Sequence, residues 1–342
     1  MIAVALVLAG CLGVTGCSAL QRFIPPTFDT ETLNATSVKL DMPVVDGNRP
    51  FITVNATVGG GPSVPLLVDT GSPGVRIFAD KVGASGVVAT QTPVDVTFAD
   101  GTRFAGVEAS APVTFGGLET KGPINVQLIT AVSCADGKPD CAGSVGIAKF
   151  TQTQAFSGIL GIGMQAFDIY SPISQLQGGS PRSFSIAANS SVGSATMTFN
   201  TQPPAPQAAF RIPQWTDPQL ANGYPAWASN QVQACWAYRG QSTSCVPTAF
   251  DTGSPTLFTD GSVPGAPKST GPVPPGTPLN LSAEAGGPSI WSLTAGSTPG
   301  KNTVQVAPLE GDTSVNSGIS IFRSRLVTFD LQNGNIFVSQ AD

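Results

Sequence analysis

A chain of 342 residues with a net charge of −5, only 11% charged residues, 39 Gly and 30 Pro has the make-up of short strands joined by turns. It contains no Lys/Arg run that could follow a phosphate backbone, so nucleic acid is not an expected partner. It also contains no histidine, which excludes a Ser-His-Asp triad, a Cys-His pair and any His-ligated zinc site, and leaves carboxylates, hydroxyls, Lys or a Cys without its usual base to carry chemistry.

In chain order, Ile2 to Val14 form an almost wholly apolar run, too short for a secure membrane span and followed by small residues, which is the shape of a secretory signal. Val14-Thr15-Gly16-Cys17-Ser18 resembles the bacterial lipobox, in which small residues precede a Cys that receives lipid before cleavage; Leu8-Ala9-Gly10-Cys11 fits the same pattern. Cys17 is preferred, because bulky Leu12 follows Cys11 whereas small Ser18 follows Cys17, and an unlipidated signal is the alternative. No Lys or Arg precedes the apolar run, so the start is expected upstream of Met1. Residues 1–17 are thus expected to be a signal and 18–45, polar and containing Pro, a flexible tether of an exported, lipid-anchored protein at the cell surface. In that tether Arg22 and Lys39 are outnumbered by Asp29, Glu31 and Asp41, unlike an inhibitory prosegment.

The body begins with Phe51 to Val58, which leads through Gly59-Gly60-Gly61-Pro62 into Val64 to Val68 and reads as a hairpin feeding a buried strand. Strand alternation recurs at Val94 to Phe98, Val113 to Phe115, Ile124 to Ile129 and Thr196 to Phe199, and Ser171 to Leu176, with Pro172 early in it, predicts the one short helix of this half. Cys134, Cys141, Cys235 and Cys245 allow three disulfide connectivities, and their closeness in pairs favours Cys134 with Cys141 and Cys235 with Cys245; free or metal-binding thiols fit an exported chain less well. The Pro-rich joint Gln202 to Gln207 sets the boundary between an N-terminal lobe, 46–200, and a C-terminal lobe, 201–342. Gly261 to Pro278 reads as a long surface loop inside the second lobe.

One tetrapeptide occurs twice, as Asp69-Thr70-Gly71-Ser72 after Leu66-Leu67-Val68 and as Asp251-Thr252-Gly253-Ser254 after Ala249-Phe250. A strand end can present each Asp, Gly permits a tight turn and close backbone approach, and the hydroxyls can donate to carboxylate oxygens. Two such loops face to face place two carboxyls side by side, and these share one proton because both cannot easily ionise; the aspartic-protease dyad is itself the standard illustration of that behaviour. The ionised member can then take a proton from water while the protonated member donates to a peptide carbonyl, with no metal, other cofactor or covalent intermediate.

The duplicated motif and its surroundings resemble the pepsin family of aspartic proteases. Phe156 to Gly163 resembles the family's apolar-apolar-Gly segment that supports the first Asp loop. Ser171 to Leu176 and Phe184-Ser185-Ile186 resemble the helix and strand that follow it, Cys235 to Cys245 the small disulfide loop before the second Asp, and Gly318 to Phe322, Leu326 to Asp330 and Gly334 to Val338 the C-terminal ending. The resemblance implies an all-β, bilobal pepsin-like fold with the active site in the cleft between two related lobes, and a monomeric endopeptidase that takes extended peptide or protein substrates. By the same resemblance Asp69 and Asp251 are the catalytic pair, Thr70 and Thr252 interlock the loops, and Ser72 and Ser254 hydrogen-bond near the carboxylates. Val96 to Thr102, with Phe98, Asp100 and Gly101, resembles the flap that closes over substrate, although the family's usual Tyr is here Phe98 and its usual Trp is Arg76. The Arg76 guanidinium is placed to lie against Phe98 as a cation–aromatic pair, the alternative being a solvated Arg and a packed Phe. Val315-Asn316-Ser317-Gly318 is more polar than the second apolar-apolar-Gly element of the family. These departures motivate the competing reading, a weakly active or inactive pepsin-fold surface protein acting as a binding module.

Overall fold

The computed structural model describes residues 32–341, apart from 47–48, 168, 190–191, 202, 297–301 and 310–311, with only the backbone of 216–218. The expected signal, both candidate lipidation cysteines, Cys11 and Cys17, and the first half of the expected tether, 18–31, lie outside the described residues. The tether expected for 18–45 is corrected at its end: Thr36–Asp41 is a strand, paired antiparallel with Ser194–Phe199 along its whole length. Its side chains alternate, Val38 and Leu40 inward and Ser37, Lys39 and Asp41 outward, which is the period-two pattern of a half-buried strand.

Strands dominate both lobes. One sheet runs in the order Ala208–Arg211, Asn335–Gln340, Arg325–Asp330, Ser183–Asn189, Ser194–Phe199, Thr36–Asp41, Thr53–Val58, Val64–Asp69, Gly158–Ile162, Pro73–Phe78, Ile124–Cys134, Thr102–Ala111 and Val88–Thr97. The second runs Gly271–Pro272, Val304–Val306, Leu257–Thr259, Val315–Asn316, Ser244–Ala249, Val232–Tyr238, Pro278–Ser282 and Ser289–Thr294. Residues 208–211 and 325–340, from the C-terminal half, extend the sheet of the N-terminal half, so the two lobes share a layer. The stacked rings of Phe184 and Phe329, 4.7 Å apart, sit in that shared layer.

The two halves repeat one local topology. Val64–Asp69 lies parallel to Gly158–Ile162, which in turn lies antiparallel to Pro73–Phe78. In the second lobe Ser244–Ala249 lies parallel to Val315–Asn316, which lies antiparallel to Leu257–Thr259. Each repeat delivers its Asp at the end of a strand walled on both sides.

The expected strand at 94–98 runs over Val88–Thr97, and that at 124–129 continues to Cys134 through an irregularity between Ile129 and Ala131. The expected helix at 171–176 is a single 3-10 turn, Pro172–Gln175. An α-helix not anticipated from the sequence, Ile147–Gln154, follows the disulfide-closed segment and stops at Ala155 in the left-handed conformation (φ 60°). Its buried residues are only Phe150 and Gln154, too few to write a helical stripe. Cysteines 134 and 141 form one disulfide and 235 and 245 another, the pairing their spacing favours. Among the described residues no helix is long and apolar enough to cross a membrane.

A separate apolar cluster in the N-terminal lobe contains Phe51, Leu67, Phe78, Phe104, Phe150, Phe156 and Ile159. Its rings meet edge to face, Phe78 with Phe150 at 5.7 Å, Phe104 with Phe150 at 5.4 Å and Phe51 with Phe156 at 5.4 Å. Such pairs add about 0.5–1.5 kcal/mol each beyond area burial and make a stiff wall. That wall borders the site.

Candidate active site

Asp69 ends the strand Val64–Asp69, and Asp251 follows Ser244–Ala249 by two residues. In each loop the third residue turns its backbone N–H back onto the carboxylate: Gly71 N donates to Asp69 Oδ1 at 2.7 Å, and Gly253 N to Asp251 Oδ1 at 2.7 Å. Glycine is required for space at both. A Cβ on Gly71 would stand 2.7 Å from Asp251 Cγ, and one on Gly253 2.6 Å from Asp69 Oδ1, so each loop's glycine makes room for the other loop's carboxyl.

Two threonines lock the loops together. Thr70 Oγ1 donates to the Phe250 carbonyl at 2.7 Å and accepts from Thr252 N–H at 3.0 Å. Reciprocally, Thr252 Oγ1 donates to the Val68 carbonyl at 2.7 Å and accepts from Thr70 N–H at 3.1 Å. Both threonines are buried, so these four bonds satisfy backbone groups that water does not reach.

The carboxyls that result face each other across the two glycines, a Cβ on Gly253 meeting Asp69 Oδ1 at 2.6 Å and Asp251 Oδ1 at 3.1 Å, and only 5% of Asp69 and 8% of Asp251 is exposed. Burial first, and then the charge of Asp251, hold the Asp69 carboxyl well above the usual carboxylate range, while Ser72 and the Gly71 N–H oppose that shift.

Ser72 Oγ donates to Asp69 Oδ2, as its place in the motif implies. Ser254 does not do the same for Asp251. Its hydroxyl is occupied within its own turn, donating to the Thr256 carbonyl at 2.7 Å and accepting from Thr256 N–H at 3.2 Å. The donor to Asp251 Oδ2 is instead Asn316 Nδ2, at 2.6 Å. The polar segment 315–318 therefore supports the second loop: Asp251 N–H donates to Ser317 Oγ at 3.3 Å, and Ser317 N–H to the Ala249 carbonyl at 2.9 Å. The signal in the sequence was the presence of Asn and Ser where apolar residues were expected. Which atoms they meet is a matter of register.

The flap forms as a hairpin. Its tip, Phe98 to Thr102, closes with Gly101 N–H on the Phe98 carbonyl at 2.7 Å and Phe98 N–H on the Thr102 carbonyl at 2.8 Å, and Asp100 accepts from the Thr102 amide and hydroxyl. Lys138, inside the Cys134–Cys141 loop, donates to the Ala99 carbonyl at 2.7 Å and ties that loop to the flap tip. Phe98 packs edge-on against Phe104 at 5.2 Å. The expected Arg76–Phe98 pair is not made, and neither is Arg76 solvated: it is 6% exposed and donates to Gln127 Oε1 at 2.7 Å, because the two residues lie opposite each other in adjacent parallel strands. Burial lowers the Arg76 pKa to about 10, against the opposing pull of the Asp69 charge. The cation–aromatic contacts among the described residues are Arg49 with Phe51 and Arg211 with Trp227.

Flap and loops enclose a cleft of about 710 Å³, lined by Asp69 and Asp251 on its floor, by Leu67, Phe98, Phe156 and Ile159 on one side and by Phe258 and Asn316 on the other. Among the described residues no group of His, Cys, Asp and Glu side chains is arranged to hold a metal ion.

The family model of the PE-PGRS C-terminal aspartyl peptidase-like domain matches residues 37–336. The crystal structure of the aspartic proteinase from Irpex lacteus superposes with a TM-score of 0.57 at 17% identity, covering 90% of this chain and 98% of that one. At that identity the likeness is one of fold, and it establishes the bilobal, all-β pepsin-like architecture. No curated protein matches the chain by sequence.

Proposed function

The chain belongs to the PE-PGRS C-terminal aspartyl peptidase-like domain family, and on that premise we propose that it is an aspartic endopeptidase in which Asp69 and Asp251 activate water. The observation that carries this reading is the pair of carboxyls held in mutual reach by the reciprocal threonine lock at the floor of a cleft under a flap. A water bound between the carboxyls loses a proton to the ionised member as its oxygen attacks the scissile carbonyl carbon, and the protonated member donates to the carbonyl oxygen. Collapse of the resulting diol breaks the C–N bond, and a proton passes to the departing amine. Thr70, Gly71, Ser72, Thr252 and Gly253 orient the pair, and the flap residues Phe98, Asp100 and Gly101 cover an extended peptide or protein segment and exclude water.

The two disulfides fit an exported protein. The finer reading is a monomer tethered to the cell envelope by lipid on Cys17, or alternatively Cys11. One observation favours the second reading, a binding module: the flap carries Phe98, which has no hydroxyl to offer substrate.

Cleavage of casein from about pH 3 to about pH 7, with and without pepstatin and beside Asp69→Asn, separates the two. The endopeptidase reading expects cleavage that both pepstatin and the substitution abolish. A folded protein that cleaves at no pH and binds no pepstatin would leave the binding module.

A further inference from the structure

The register of the two repeats assigns equivalent positions. Ile159 pairs with Leu67 and with Arg76, which stand two residues before and seven after Asp69. Asn316 pairs with Ala249 and with Phe258, which stand two before and seven after Asp251. Asn316 thus occupies in the second lobe the place of Ile159 in the first. An apolar side chain there can only line the cleft, as Ile159 does. An amide can reach the carboxylate.

The orientation of that amide is decided by its other contact. Asn316 Oδ1 accepts from Gly318 N–H at 2.9 Å, and an N–H can be matched only by the carbonyl end, so Nδ2 is the end that faces Asp251 Oδ2 at 2.6 Å. Gly318 holds its N–H in that direction with φ at 54°, in the left-handed region, and a Cβ there would stand 2.4 Å from the Thr256 carbonyl oxygen. The Asn316 backbone is clamped between strands on both sides, and the residue is about nine-tenths buried.

The donors to the two outer carboxyl oxygens therefore differ in kind. Ser72 has a hydroxyl, which can donate to Asp69 Oδ2 or, by rotating, accept from a protonated one. Asn316 Nδ2 can only donate. A proton on Asp251 Oδ2 would confront an N–H, while Asp251 Oδ1 already accepts from Gly253 N–H. The inner oxygens are matched alike, each accepting from a glycine N–H of its own loop, so the asymmetry lies at the outer oxygens.

We propose that Asn316 is a positioning residue that assigns the shared proton, keeping Asp251 as the ionised, water-activating member and Asp69 as the proton carrier that donates to the substrate carbonyl. The kinetic consequence rests on the endopeptidase reading; the assignment of the proton does not. The elevated affinity of the Asp69 carboxyl for its proton points the same way. The other charged groups that face the pair are buried Arg76 from the strand Pro73–Phe78 and, at the cleft rim, Arg49, Asp100, Lys138 and Asp140.

The test uses carboxyl-13C-aspartate NMR across pH on the intact protein, with the two site signals assigned by their loss in Asp69→Asn and Asp251→Asn. Between the two ionisations the Asp251 signal is expected at a carboxylate shift and the Asp69 signal at a carboxylic-acid shift. In Asn316→Leu the two signals should approach each other, and the acid limb of kcat/KM should move up by about 1–2 pH units, since a hydrogen bond to a charged group is lost. Asn316→Asp, which keeps the shape and the acceptor for Gly318 but no donor once ionised, should move the limb the same way and supplies the answer if the Leu variant does not fold. An Asp69 signal that ionises first in the native protein, or titrations unchanged in the folded variants, would overturn the assignment. If the native protein cleaves nothing, the endopeptidase reading fails while the NMR signals still decide the role of Asn316.

Discussion

Replacing Thr70 by Val keeps the β-branched shape and removes the hydroxyl at the centre of the lobe lock. Two groups of the opposite lobe then lose their partners, the Phe250 carbonyl and the Thr252 N–H, both in a water-excluded layer. An unsatisfied buried backbone group costs about 1–3 kcal/mol, so the variant should lose about 2–6 kcal/mol with no cavity contribution. Thr70→Ser is the control: it keeps both bonds and gives up one methyl group, at about 1 kcal/mol. Equilibrium urea unfolding should order the stabilities as native, then Ser, then Val, with an unchanged slope against urea. The Val variant should also cleave more slowly, because a carboxyl displaced by about 1 Å costs about a hundredfold. Thr252→Val orphans the mirror pair, the Val68 carbonyl and the Thr70 N–H, and the double variant should lose less than the sum of the two because the residues share one network. A Thr70→Val protein as stable as Thr70→Ser would refute the reasoning.

Gly71→Ala and Gly253→Ala should each lower casein cleavage by about a hundredfold or more, since the added methyl meets the opposite carboxyl at 2.7 and 2.6 Å, and pepstatin affinity should fall in parallel; native-like rates in either would show that the loops stand farther apart. Asp69 binds its proton more tightly folded than unfolded, so from about its unperturbed value of 3.8 upward the folded state holds more protons and loses stability as pH rises, until the folded group has itself ionised. Asp69→Asn removes that loss. Its Tm advantage over the native protein, by calorimetry, should grow from about pH 3 to about pH 7, and a constant difference would contradict the elevated proton affinity.

Much of this fold is written in short-range patterns. The hairpin at 51–68, the strands at 113–115 and 194–199 and the C-terminal pair at 325–340 each show the alternation or apolar run of a strand, and local turn chemistry marks their ends. The helix at 147–154 was illegible because its two buried residues leave no stripe, and the strand at 36–41 was hidden in a polar stretch whose alternation spans only two buried positions. Ser254 differs from Ser72 in its partners for a different reason. Identical tetrapeptides imply identical contacts only if their surroundings are identical, and Thr256 offers this serine a nearer partner.

By itself the sequence determined that this chain is rich in strands and turns, has no histidine chemistry and carries one Asp tetrapeptide twice, because composition and motif duplication are properties of the chain alone; the two-lobed fold came from the family resemblance those motifs carry, and cysteine spacing favoured one disulfide pairing of three. Tertiary structure decided what those loops meet. Asn316 and Arg76 are each far in sequence from the group that gives them meaning, Asn316 facing Asp251 from a neighbouring strand and Arg76 turned onto Gln127, away from the flap phenylalanine. Those contacts depend on strand register, and a shift of one residue would send each side chain to the opposite face of its sheet.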